Sequence, residues 1–414
     1  MRALQPVKGT HDLLPGDMRR HRAVVETARA VTARYGYQEM VTPIFEATEV
    51  FKRTLGDTSD VVTKEMYTFE TKGGDQITLR PEATAGVARA FISGGLMQNL
   101  PLKFFVTGPM FRHERPQAGR QRQFHQIDIE LLGVPQPMGD VDIIAAGAAV
   151  LDALGVRDKA TLELNTLGDP ESRQSYRKAL VEYFQDQIDA LSEDSRDRLD
   201  RNPLRILDSK DKGDRALVAD APLFADFLNQ ASVDFFGEVT SGLDALGIGY
   251  EHNPRLVRGL DYYTHTAFEF TTTALGAQGA ILAGGRYDNL IEQLGGPPTA
   301  GTGWAAGVER LVLLMDQEVP TVRPLAVVPQ GAAAEKEALV LTEELRRRGL
   351  TVELGFSGNM KKRMSRAGKA GARAALILGD DELAQKAVTL RDLDSGEQEL
   401  VPRDALADRL GRFA

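Results

Sequence analysis

Phe111-Arg112-His113-Glu114-Arg115-Pro116-Gln117-Ala118-Gly119-Arg120-Gln121-Arg122 places four arginines around a turn between two long apolar arms. Leu102 to Arg112 reads as the outgoing strand, Pro116 to Gly119 as a turn-rich loop, and Arg122 to Leu132 as the return strand. The return arm alternates: Ile127, Ile129 and Leu131 fall on one side, Gln126, Asp128 and Glu130 on the other. Such a pair predicts a large antiparallel sheet with one polar face. That face either meets solvent, as antiparallel sheets often do, or lines a site.

Working outward, the spacing of Val24, Ala28, Val31 and Tyr35 predicts a helix over Asp17–Tyr35, ended by Gly36. Glu39 to Ile44 reads as a strand that Pro43 confines to an edge or an end. Met66–Phe69 and Gln76–Leu79 flank Lys72-Gly73-Gly74-Asp75, a hairpin signal. Residues 181–250 are rich in Asp, Glu and Arg, with Leu180, Tyr183, Phe184 and Leu191 at helical spacing, so a mostly helical insertion is expected at about 170–250. Strands resume at Thr266–Thr271 and Ile281–Ala283, and a helix at Val308–Met315 closes this part. Beyond Pro320, short apolar runs at Leu325–Val328, Thr351–Leu354, Ala374–Leu378 and Val388–Arg391 alternate with helical segments. This predicts a separate α/β domain over 322–414 with a largely parallel sheet, against a first domain over 1–320.

Composition narrows the chemistry. The 414 residues include no cysteine, which excludes disulfides, thiolate metal sites, iron–sulfur clusters and a cysteine nucleophile. The six histidines form no i, i+4 pair and no HExxH, and there is no GxSxG elbow or GxxxxGK[ST] loop, so no metal site is expected. No apolar run approaches the roughly 18 residues of a membrane helix, and the first 15 residues lack a signal-peptide core, so a soluble cytoplasmic protein is expected. The net charge of −9 seems at first to argue against a nucleic-acid partner. However, residues 181–250 hold fifteen acidic and seven basic side chains and so carry eight of those nine charges. Elsewhere the arginines concentrate in the 112–122 turn and in a C-terminal cluster of Arg346, Arg347, Arg348, Lys361, Lys362, Arg363, Arg366, Lys369 and Arg373.

The chemistry-bearing device is therefore arginine, whose fork matches phosphate oxygens and keeps its charge at any working pH. Beside the 112–122 turn stand Leu256-Val257-Arg258-Gly259-Leu260-Asp261-Tyr262-Tyr263 and Gly301-Thr302-Gly303-Trp304-Ala305-Ala306-Gly307-Val308-Glu309-Arg310. Taken singly they have plain readings: a charged surface hairpin, an aromatic core step beside a surface arginine, and glycines for close helix packing. Together they resemble a family signature. Phe-Arg-x-Glu with a return strand resembles motif 2 of class II aminoacyl-tRNA synthetases, and the Gly-rich run ending in Glu309-Arg310 resembles motif 3. Pro43 within Tyr37–Val50 is similar to motif 1, the dimer-forming element. Arg258–Tyr263, Gly284-Gly285-Arg286-Tyr287-Asp288, Leu79-Arg80-Pro81-Glu82-Ala83-Thr84 and Lys8-Gly9-Thr10-His11-Asp12 resemble the histidyl-tRNA synthetases within that class. Gln121, Ala283 and Asn289 depart from residues frequent in the family, without removing a group the chemistry needs.

The resemblance implies an α+β catalytic domain on a mainly antiparallel sheet, a helical insertion and an α/β anticodon-binding domain. It implies a homodimer through motif 1 that activates L-histidine with ATP, magnesium accompanying the pyrophosphate, and then charges tRNA(His). No prosthetic group is implied. Arg112 would meet the α-phosphate, Arg310 the γ-phosphate, and Glu114 would join them in the ATP site. Arg258 would hold the histidine carboxylate and the reacting phosphate. Glu82, Ala83, Thr84, Gln126, Glu130, Tyr262 and Tyr263 would bind histidine with Arg112 and Arg258, while Arg115, Gln117 and Arg120 would meet tRNA. Gln126 and Glu130 share the polar face read from the alternation, which turns that face from solvent to pocket. A rival is a histidine-sensing regulatory subunit of histidine biosynthesis, with the same fold and no aminoacylation. Such a protein would be expected to lose the motif arginines and the C-terminal domain, all of which are present here.

Overall fold

The computed structural model describes residues 4–413 except 57, 58, 60, 118, 277 and 278, and leaves the side chain of Asp208 undescribed; Ala118 of the arginine-rich turn thus lies outside the described residues. The chain divides into two compact units, Met1–Gln317 and Glu318–Ala414. Strands of the first unit are β1 (Gln38–Glu39), β2 (Phe45–Ala47), β3 (Tyr67–Glu70), β4 (Gln76–Leu79), β5 (Leu102–Phe111), β6 (Gln123–Leu132), β7 (Thr161–Thr166), β8 (Glu251–His252), β9 (Thr264–Thr271), β10 (Ala280–Arg286) and β11 (Gly301–Gly307). Eight of them form one sheet in the order β1-β5-β6-β11-β10-β9-β7-β8, and β2-β4-β3 form a small one. In the large sheet only the edge pairs β1–β5 and β7–β8 are parallel.

The expected arms pair over their whole length, from Leu102 opposite Leu132 to Phe111 opposite Gln123. One face carries fully buried Phe105, Ile127 and Ile129 beneath the helices Pro15–Arg34 and Pro137–Ala153. The first helix buries Val24, Ala28 and Val31 of the expected stripe, the two valines each stabilising by about 1.5–3 kcal/mol, while Tyr35 falls just past its end. It runs two residues earlier than its pattern indicates because Pro15 suits the first helical turn, and Gly36 (φ +84°) turns the chain out.

Several expectations are corrected. Glu39–Ile44 is not one strand: pairing stops after Glu39 and resumes at Phe45, with Pro43 in the break. Gly301–Gly307, where the glycines suggested helix packing, is instead the central strand β11 between β6 and β10. The polar face of β6 is buried as the pocket reading expects, with Asp128 and Glu130 each 1% exposed.

Between β7 and β8 lie the helices Pro170–Gln185, Glu193–Arg201, Lys212–Ala219 and Gln230–Ala245, the predicted insertion. Tyr176, Leu180, Phe184, Leu199, Ile206 and Phe224 give it a hydrophobic core of its own.

The second unit contains β12 (Leu325–Pro329), β13 (Val352–Leu354), β14 (Ala374–Leu378), β15 (Ala387–Asp392) and β16 (Gln398–Pro402), in the order β13-β12-β14-β15-β16. Its sheet is mixed rather than largely parallel, because β14–β15 and β15–β16 are antiparallel. The basic cluster is likewise not all surface: Arg363 is 5% exposed and pairs with Glu335 and the Pro329 carbonyl. Among the described residues no helix is long and apolar enough to cross a membrane.

Candidate active site

On the polar face, β6 offers Gln126, Asp128 and Glu130 while β11 offers Gly303, Ala305 and Gly307 opposite them. That exchange of side chain for space opens a cleft of about 330 Å³, lined by Glu82, Thr84, Arg112, Glu114, Gln126, Arg258, Tyr262, Tyr263, Tyr287, Glu309 and Arg310 among others. A Cβ on Gly303 would stand 2.1 Å from Glu130 Oε2, and one on Gly301 would stand 2.2 Å from the Tyr287 ring. The glycines of this strand are thus what allow Glu130 and Tyr287 to lie where they do.

The floor is acidic. Glu82 (4% exposed) accepts the backbone N–H of Thr84 at 3.0 Å and of Ala85 at 2.7 Å, at the start of helix Thr84–Ser93. The Tyr262 hydroxyl lies 3.4 Å from it. Thr84 donates its hydroxyl to Glu130 Oε1 at 2.6 Å, and Tyr287 donates to Glu130 Oε2. Burial pushes the Glu130 carboxyl up to about 8 despite these two bonds, with the Glu82 charge adding to the rise. Burial likewise raises Glu82, and raises Asp128 well above the carboxylate range with help from Glu130 and Glu82. Gln126 Oε1 and both Asp128 oxygens are buried without a hydrogen-bond partner.

The other walls are cationic. Arg112 donates through Nε to the Pro81 carbonyl at 2.9 Å and stacks over Phe124 at 5.6 Å. Glu114 lies 3.9 Å from Arg112 and takes Arg120 at 2.9 Å. Arg258 pairs with Glu269, lies over the Tyr263 ring at 5.3 Å, and keeps a buried Nε without a hydrogen-bond partner. Arg310 donates to the Ala280 and Gly119 carbonyls, so it ties the arginine-rich turn to β10. Burial and the neighbouring Arg120 lower its pKa.

The structure lines one cleft with every residue expected in the ATP and histidine sites except Ala83, fully buried in the core, and Glu130, which sits behind the lining and bonds Thr84 and Tyr287 of it. Arg115 and Gln117 are exposed, whereas Arg120 is half-buried against Glu114. Gln121 and Ala283 line the cleft, and Asn289 instead precedes the short helix Leu290–Gln293.

Sequence reasoning missed Tyr287, although its neighbours carried a motif. Adjacent Arg286 is fully buried on Asp140, with Nε at 2.9 Å and the second fork nitrogen at 2.8 Å, and is structural. Glu309 was also missed. It accepts the His125 backbone N–H at 3.0 Å and meets His125 Nδ1 at 2.9 Å, with His21 Nε2 at 3.8 Å. Burial alone would raise this carboxyl, but the bonds from His125 and His21 bring it down to about 2. Among the described residues, His21, His125 and Glu309 are the one trio close enough to share a cation. The Glu309 oxygens are already occupied by His125, so the trio reads as a brace that fixes Arg310, the next residue, against β6.

Residues 9–311 match the sequence model of the histidyl-tRNA synthetase family, and residues 325–412 match the anticodon binding domain. A histidine–tRNA ligase of Rhodospirillum rubrum is 62% identical over 414 residues, all of both chains. One of Gluconobacter oxydans is 56% identical over 98% of each. The crystal structure of apo Staphylococcus aureus histidyl-tRNA synthetase superposes with a TM-score of 0.83 at 33% identity, covering 98% of this chain and 99% of that one.

Proposed function

The chain belongs to the histidyl-tRNA synthetase family, and from that premise we infer that it is a histidine–tRNA ligase whose cleft carries out both half-reactions. The observation that carries the assignment of roles is the polarity of the cleft, with buried carboxylates on its floor and guanidinium groups along its walls. Histidine needs acceptors for its ammonium and imidazole, and ATP needs fixed cations.

Glu82, Thr84 and Gln126 receive the α-ammonium: Glu82 Oε1 keeps a lone pair beyond its one backbone bond, and Gln126 Oε1 has no other partner. Glu130 and Tyr263, with Tyr262 beside them, take the imidazole. Arg258 holds the carboxylate, one of whose oxygens attacks the α-phosphorus while the bond to pyrophosphate breaks. Arg112 and Arg310 balance the charge on the α- and γ-phosphates, Glu114 orients Arg112, and ATP enters with its own magnesium. Catalysis is positioning and charge stabilisation, which needs no protein nucleophile. The terminal ribose hydroxyl of tRNA(His) then attacks the activated carbonyl and releases AMP, its strand guided by exposed Arg115 and Gln117 and by Arg120.

We place a homodimer interface at motif 1, where Val41 is 75% exposed beside exposed Ile44 and Phe45; sedimentation as a monomer at micromolar concentration would refute it. ATP–pyrophosphate exchange with each of the twenty amino acids tests the function. Exchange with histidine alone is expected, and exchange without histidine dependence overturns the assignment.

A further inference from the structure

The loop that carries Arg258, Tyr262 and Tyr263 has no ladder of its own. Residues 257–263 lie outside every strand and helix, so no ladder satisfies their carbonyls. Three alternate carbonyls, those of Gly259, Asp261 and Tyr263, are taken by two arginines of the insertion. Arg205, 9% exposed, donates to the Gly259 carbonyl. Arg173 donates one fork nitrogen to the carbonyls of Asp261 at 3.0 Å and Tyr263 at 2.8 Å. Asn202, also 9% exposed, donates Nδ2 to the Asp261 carboxylate at 2.7 Å, and Arg205 Nε lies 3.8 Å from the same group.

All three side chains are fixed from behind. Arg173 lies in the first turn of helix Pro170–Gln185, whose Asp169 cap accepts the Ser172 N–H at 2.8 Å. Asn202 and Arg205 bracket Leu204 and precede Ile206, both buried in the insertion's own core. The insertion thus bonds the backbone of a loop whose apolar side chains pack into the catalytic core.

We propose that Arg173, Asn202 and Arg205 are positioning residues for histidine: the insertion sets the loop that places Arg258 and the tyrosine pair. This rests on the reading of Arg258, Tyr262 and Tyr263 as histidine-binding groups. The insertion is then a working part of the amino-acid site, and its docking on this loop determines histidine affinity before any contact with tRNA.

The test is ATP–pyrophosphate exchange by the full chain carrying Arg205→Ala, Arg205→Lys or Asn202→Ala, with KM for histidine and for ATP measured separately. Arg205→Ala is expected to raise the histidine KM about tenfold or more, the scale of one lost hydrogen bond to a charged group, while the ATP KM stays within about threefold. Arg205→Lys, which can still reach one carbonyl, should recover part of the loss, and Asn202→Ala should show the same selectivity more weakly. A fall in kcat with both KM values unchanged means a merely structural role and overturns the proposal, as does a histidine KM within twofold of wild type. Wild-type protein whose exchange does not depend on histidine overturns the site reading as well. Normal wild type with unchanged variants overturns this inference alone.

Discussion

Replacing Gly303 with alanine tests the geometry of the amino-acid pocket more sharply than removing any charged group. The added methyl would stand 2.1 Å from Glu130 Oε2, 2.9 Å from Glu130 Cδ and 2.5 Å from the Ile129 carbonyl. The carbonyl belongs to the ladder between β6 and β11, so β11 must give way locally there, and the carboxylate must also retreat by roughly 1 Å to reach ordinary contact. It cannot do so while keeping both the Thr84 hydroxyl at 2.6 Å and the Tyr287 hydroxyl. One bond of the buried carboxyl is lost, and leaving a buried polar group unpaired costs about 1–3 kcal/mol, while the imidazole partner moves out of reach. The histidine KM in pyrophosphate exchange is therefore expected to rise by about 10- to 100-fold. The ATP KM should change by less than about threefold, because Arg112 and Arg310 are held by the Pro81, Ala280 and Gly119 carbonyls and not by Glu130. A histidine KM within twofold of wild type would show that Glu130 is free to relocate or does not touch the substrate, and the reasoning fails.

Three further outcomes are expected. Arg258→Ala should abolish histidine-dependent exchange, by a factor of about 100 or more, while the sedimentation of the protein is unchanged; activity within a few-fold of wild type refutes its role. Glu130→Ala should weaken histidine more than ATP in the same assay, and equal losses would rule out imidazole contact. Asp128→Asn should stabilise the fold near neutral pH. Burial first, then the charges of Glu130 and Glu82, hold the Asp128 carboxyl well above its unfolded value of about 3.9. Between those two values the folded state binds more protons, so wild-type stability falls as pH rises from about 4 through the folded pKa, and asparagine removes that fall. Thermal unfolding from pH 5 to 8 should show a gap in favour of the variant that widens with pH; a gap independent of pH contradicts the argument.

What the sequence made legible, and what it hid, follows from how each residue does its work. The paired arms of β5 and β6 were readable because alternation is a local signal, and so was the α/β character beyond residue 322. β11 was not, because its three glycines weaken any strand pattern and their reason lies in Glu130 and Tyr287, on other strands. β7 was likewise passed over: Thr161–Thr166 is only six residues, with a polar Glu163 and Asn165. In the second unit, β16 pairs antiparallel with β15 and displaced the expected parallel arrangement. The ATP and histidine residues came from motif resemblance, which names positions but not directions. It therefore included Ala83, whose side chain turns into the core, and passed over Tyr287, whose hydroxyl meets Glu130. It also gave no hint that Arg286 of the same motif is buried on Asp140.

The acidity of the insertion and its grip on the 257–263 loop are two sides of one arrangement. Its arginines point largely at carbonyl groups: Arg205 at Gly259, Arg173 at Asp261 and Tyr263, and Arg196 at Ile188, Asp189 and Leu191. Many of the acids, among them Glu182, Asp186, Glu193, Asp197, Asp211 and Asp220, are exposed. Exposed cations such as Lys210, Lys212 and Arg215 stand among them, so the surface of the module is acidic on balance and not uniformly negative. The net charge of −8 over residues 181–250 was therefore no argument about the whole chain's partners. On the reading proposed above, two of the module's cations, Arg173 and Arg205, are engaged by the loop of the amino-acid site.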